Sequence, residues 1–226
     1  MKQKLFVIVI VLSGSAIIPG CRDSRLAAAN GLLESGDFLG ARPLYSRIIE
    51  SRPRDYAAHY GLGMSYCAEA MHRTDLGLAA PDDWYPAIYQ VTVAAHLDTS
   101  REVRRTLAIL HYNLGACFRK NGNPADAILR IAQAISYDST LIKAYNLLGT
   151  LYFEQADLDK AESCYRRTLI IKPDYAMAHF NLGALFWARG RYDEALTCFT
   201  DAAALEPENG YFQSWLSKTR AQAGKH

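Results

Sequence analysis

The feature that most constrains this chain is that it repeats itself. Shifting the sequence by 34 residues lays Asn146-Leu147-Leu148-Gly149-Thr150-Leu151-Tyr152 over Phe180-Asn181-Leu182-Gly183-Ala184-Leu185-Phe186. A period of this length marks small units, none of which buries its apolar face alone, so stacking of neighbours is obligatory. Half of the residues are hydrophobic, which argues against disorder.

Extending the register gives four regular repeats. Repeat 142–175 carries Leu148, Gly149, Tyr152, Ala161, Tyr165 and Pro173, and repeat 176–209 carries Leu182, Gly183, Phe186, Gly190, Ala195, Phe199, Ala202 and Pro207. Repeat 108–141 carries Leu114, Gly115, Phe118, Gly122, Ala127 and Ala134, with Ser139 in place of the terminal Pro. Repeat 22–55 carries Ala29, Leu32, Gly36, Ala41, Tyr45 and Pro53, with Ile48 where a small residue is usual. In this order the residues resemble the tetratricopeptide repeat. The resemblance implies an all-α, right-handed α-solenoid of helix-turn-helix repeats. Each small residue of a first helix is expected to face the Ala of the second, as Gly149 would face Ala161. Gly36, Gly122 and Gly190 suit helix ends that need a left-handed residue, and the terminal Pro stops the second helix. Aromatic residues at Tyr45, Tyr152, Tyr165, Phe186 and Phe199 are expected to fill the space between helices.

Residues 56–101 read as a degenerate repeat with an insertion. Gly63 and Ala87 are 24 apart where 12 is regular, so about twelve extra residues within Ala68 to Ala80 lengthen the first helix or bulge between the two. Inserted loops often carry function. Ser100 before Arg101-Glu102-Val103 reads as a helix start, which prolongs the first helix of repeat 108–141 by nearly two turns. After Asn209, residues 210–223 read as an amphipathic capping helix, with Tyr211, Phe212, Trp215 and Leu216 on one side and Ser217, Lys218 and Arg220 on another.

The N-terminus has a different character. Lys2 and Lys4 precede an apolar run from Leu5 to Leu12 that continues through small residues to Ile18, the layout of a signal peptide over residues 1–20. The run is too short for a membrane span and is broken by Pro19. Ile18-Pro19-Gly20-Cys21 resembles a bacterial lipobox, although Ile18 and Pro19 depart from the Leu and the Ala or Ser that lipoboxes prefer. The resemblance implies cleavage before Cys21, its acylation, and a lipid-anchored chain of residues 21–226. Arg22, where Asp would signal inner-membrane retention, implies the periplasmic face of the outer membrane.

Loss of Lys2 and Lys4 takes the 25 Lys and Arg residues to 23, against 23 Asp and Glu, so the processed chain is neutral. A neutral chain lacks the basic face that a phosphate backbone needs, which excludes nucleic acid as the expected partner. Cys67, Cys117, Cys164 and Cys198 are expected to be buried free thiols. Cys164 and Cys198 occupy equivalent places on successive helices, too far apart for a bridge. No C-x-x-C spacing points to zinc or redox chemistry.

The residues supply no catalytic constellation, cofactor motif or metal site. His59, His111 and His179 fall at one place early in the first helices and read as packing residues. Asp82-Asp83 and Asp193-Glu194 sit where second helices begin and complement the helix dipole. H-E-x-x-H, G-x-S-x-G and G-x-x-x-x-G-K-[ST] are all absent. The chain is therefore read as a binding protein, without a small-molecule substrate. The family resemblance places a partner groove along the first helices, here Tyr60, Met64, Tyr112, Arg119, Lys143, Asn146, Thr150, Phe153, Met177, Phe180 and Trp187. Among these, Phe153, Phe180 and Trp187, with Lys143 and Arg119 at the edge, form the expected binding strip. The capping helix could instead cover Trp187. The family's carboxylate clamp is incomplete, since Leu26 and Asn30 stand for its first Lys and Asn. Similar lipoproteins imply a scaffold for a cell-envelope complex of the type IV pilus secretin kind. They leave open an adaptor for peptidoglycan hydrolases and proteases, or a subunit of a polysaccharide-export complex.

Overall fold

The structure, a computed structural model, describes residues 24–223, and the signal segment and Cys21 lie outside them. The described chain is all helical and divides after Gly122 into two compact units.

The first unit holds α1 (Ser24–Glu34), α2 (Phe38–Ser51), α3 (Tyr56–Asp75), a 3-10 turn (Pro81–Trp84), α4 (Tyr85–Leu97) and α5 (Arg101–Lys120). Asp37, Asp55 and Ser100 begin α2, α3 and α5 by accepting the amide protons of Gly40, Ala58 and Val103. Tyr45 of α2 is fully buried over Gly61 of α3, and its hydroxyl donates to Asn30 Oδ1 at 2.7 Å. Arg42 ties α2 to α3 by donating to the Ser65 carbonyl at 3.1 Å and to Glu69 at 2.7 Å, while lying over the Tyr66 ring.

The insertion takes both of the forms open to it. Helix α3 runs on to Asp75, 20 residues in all, and stops where Gly77 at φ +75° lets the Leu78 amide turn back to the Arg73 carbonyl. A short tip then leads to Trp84, buried at the start of α4. Arg73 and Asp83 clamp the tip at 2.9 Å, and Asp83 accepts the Ala80 amide proton at 2.7 Å. Leu76 and Leu78 are left exposed on it. Helix α5 also has 20 residues, starting from the Ser100 cap as the sequence predicts.

The second unit holds α6 (Pro124–Tyr137), α7 (Ile142–Glu154), α8 (Leu158–Ile171), α9 (Ala176–Ala188), α10 (Tyr192–Leu205) and α11 (Gly210–Ala223). Helices α7 and α8 form one hairpin, α9 and α10 the next, and α11 packs on α10. Its core contains Tyr165, Leu182, Leu185, Phe186, Phe199, Phe212 and Leu216.

The small-residue contacts differ from expectation in one respect. At Gly149 a Cβ would lie 2.6 Å from the Tyr165 ring, and at Gly183 2.9 Å from the Phe199 ring, so an aromatic ring of the second helix is the nearest neighbour of each glycine. Ala161 and Ala195 are themselves fully buried. Gly63 keeps the expected partner, facing the Ala87 carbonyl at 3.2 Å as well as Val91.

Two hairpins turn through Gly36 and Gly190 at positive φ, and Gly122 after α5 has positive φ too, but the α7–α8 turn places Ala156 there, at φ +61°. A Cβ in this conformation costs about 1–2 kcal/mol. Ala156→Gly is therefore expected to raise the stability of the second unit by up to about 1 kcal/mol, visible as a higher urea midpoint. An unchanged or lower midpoint would show that this turn is unstrained.

A candidate protein-binding face

The leading helix of each hairpin and the helix behind it carry different chemistry in the second unit. Helices α7, α9 and α11 lie side by side: Asn181 of α9 donates to Asn146 Oδ1 of α7 at 3.0 Å, and Trp187 of α9 meets Trp215 of α11 edge to face at 5.7 Å. Their common face is organised in rows by the 34-residue period. Lys143, Met177 and Tyr211 form one row and are all exposed, while Thr150, Ala184 and Lys218 form a second and Phe153 and Trp187 lie in a third. Phe153, Ala184, Trp187 and Trp215 are half-buried, packed against the core yet open on one side.

The predicted groove residues divide on burial. Lys143 and Arg119 are exposed, and Tyr112, Asn146, Thr150, Phe153 and Trp187 are partly exposed. Tyr60, Met64 and Phe180 are a correction, because all three are core residues. Tyr60 bonds Thr106 of the prolonged α5 at 2.9 Å, and Met64 is 4% exposed. Phe180 is stacked on Phe212 at 5.0 Å and touches Phe199 and Tyr211. The capping helix has taken the place that a ligand would need. Trp187 is not lost in this way: Trp215 and Tyr192 cover its edges, and Lys218 places its ammonium 5.2 Å from one indole and 4.6 Å from the other. Tyr211, Trp215 and Lys218 thus belong to the face, and continuing the 34-residue register beyond Asn209 would have found them.

The opposite side is laced with ion pairs. Arg189 joins Asp159 and Glu162, Arg166 joins Glu162, and Arg191 joins Glu194. Of these only the Arg189 pairs join two helices, and a paired cation offers little to a ligand.

The histidines and cysteines are structural. His179 Nε2 lies 2.8 Å from the Pro173 carbonyl, His59 Nε2 lies 3.1 Å from that of Pro53, and Gln213 donates to that of Pro207 at 3.3 Å. Each leading helix so caps the carbonyl left over where Pro ended the preceding helix. Cys67, Cys117, Cys164 and Cys198 are free, and burial pushes the Cys67 thiol up to about 12 and those of Cys164 and Cys198 to about 11, away from nucleophilic use. Among the described residues no group of three or more His, Cys, Asp or Glu could hold a metal ion, and no helix is long and apolar enough to cross a membrane.

Stacked helical hairpins with an open leading-helix face define a protein-interaction scaffold. Residues 26–68 and 140–207 match the tetratricopeptide repeat, and the chain is a member of the tetratricopeptide-repeat family. It is similar to the protein O-mannosyl-transferase Tmtc3 of Drosophila melanogaster, 31% identical over half of this chain but only 12% of that protein's length. Among solved structures it resembles MamA, with TM-score 0.56 at 27% identity over 81% of this chain and 96% of that one. It also resembles YrrB, a tetratricopeptide-repeat protein described as having an unusual peptide-binding site, with TM-score 0.58 at 18% identity over 95% and 98%. The likeness to YrrB concerns the fold alone.

Proposed function

We propose that this chain is a non-catalytic adaptor, tethered to the bacterial cell envelope by lipid on Cys21, that holds a segment of a partner protein against α7, α9 and α11. One observation carries the binding half: half-buried aromatic side chains and exposed lysines share a single face. Large aromatic residues in partly desolvated settings dominate the energy of protein interfaces. The tether rests on the order of basic residues, apolar run and Cys21 in the sequence. An envelope scaffold of the kind that assists secretin assembly agrees with both halves.

The tether is tested by metabolic palmitate labelling. Wild-type protein takes up label, and Cys21→Ser accumulates as an unlabelled precursor. Equal labelling of the two would remove the lipid anchor and the envelope location together.

A further inference from the structure

The binding face has a definite charge. Helices α7, α9 and α11 contain a single carboxylate, Glu154, at the last residue of α7, together with Lys143, Lys218 and Arg220. Helices α8 and α10 behind them carry both signs, Asp159, Glu162, Asp193, Glu194 and Asp201 with Lys160, Arg166 and Arg167. Lys143 and Lys218 flank α9 on its two sides, and among the described residues neither forms an ion pair. The Lys218 ammonium is held in place all the same, because the Trp187 and Trp215 rings lie beneath it. A cation fixed by π faces keeps its remaining donors free for an incoming anion.

Resting on the reading that this face takes a partner segment, we propose that the segment is acidic, with apolar side chains between its carboxylates. Its carboxylates meet Lys218 and Lys143, and its apolar side chains pack on Trp187, Ala184, Met177 and Phe153. The capping helix, which supplies Lys218 and Trp215, is then part of the recognition surface as well as a cover for the core. Two lysines on the face suit a short acidic peptide better than a phosphate backbone, whose binding draws on many neutralised charges.

The test titrates the full chain with synthetic peptides of about twelve residues, following the fluorescence of Trp187 and Trp215. One peptide alternates Asp and Glu with Leu and Phe, a second has Asn and Gln in place of the acids, and a third has Lys. The acidic peptide is expected to bind at least about tenfold tighter than its amide twin and to weaken as salt is raised, while the Lys peptide binds least. The pair Lys143→Glu with Lys218→Glu should reverse the order, so that the Lys peptide binds best. Lys143→Gln with Lys218→Gln should erase the preference should the charge-reversed chain not fold. Equal binding of acidic and amide peptides overturns the acidic preference and leaves the binding face standing. Binding of none of the three overturns both. Tighter binding of single-stranded oligothymidylate than of the acidic peptide would replace the protein ligand by a nucleic acid.

Discussion

Phe212→Ala is expected to cost the second unit about 3–5 kcal/mol, the largest effect of any single change considered. Phe212 is 1% exposed and stacked on Phe180, so the truncation opens a void under Phe180 that neighbouring rings cannot fill. The loss also frees α11, whose start is held by Asn209 accepting the Tyr211 and Phe212 amide protons and whose hold on the core is Phe212 and Leu216. Tryptophan fluorescence in urea, read in a Trp84→Phe background so that only Trp187 and Trp215 emit, reports this unit, and its midpoint should fall well below that of the same background without the change. A repeat chain can unfold in parts, so a second probe in the first unit should move much less. Loss below about 1 kcal/mol would mean that α11 is a loose appendage and not the closing layer of the core.

Gly149 gives the second large effect, and its sign runs against habit. Exchanging Gly for Ala inside a helix ordinarily stabilises by about 1 kcal/mol. At Gly149 the new Cβ would sit 2.6 Å and 2.8 Å from two ring carbons of Tyr165, a side chain 2% exposed and unable to retreat. Gly149→Ala is therefore expected to destabilise, and Gly149→Leu or Ala195→Leu to cost about 1–3 kcal/mol or more by overpacking. Gly31 of α1 is the control, because a Cβ there meets nothing within 4 Å, so Gly31→Ala should gain stability. Wild-type midpoints for both Gly149→Leu and Ala195→Leu would contradict the 34-residue register itself.

The hairpins, the prolonged α5 and the capping helix were legible because they are written in spacing, in Gly and Pro punctuation and in the Ser100 cap. The identity of contacts was harder to read. The nearest neighbour of Gly149 is the ring of Tyr165, one turn further along α8 than Ala161, and helical spacing alone does not show which side chain comes nearest. Phe180, Tyr60 and Met64 hold places that open onto a groove in an idealised repeat. Here the cap covers Phe180, Tyr60 bonds Thr106 of the prolonged α5, and Met64 is buried within the first unit. Ala156 shows the reverse, a turn with the left-handed geometry but no Gly to mark it. The reach of His59, His179 and Gln213 back to proline carbonyls was hidden because two residue types perform it.

The account stands most directly on where a partner touches. The full chain would be captured with the protein bound to it, and hydrogen exchange of the complex compared with that of the free chain. Protection is expected in 142–154, 176–188 and 210–223, with α8 and α10 unchanged. Protection confined to α8 and α10, or to the first unit, would place the binding surface elsewhere and contradict the assignment of α7, α9 and α11.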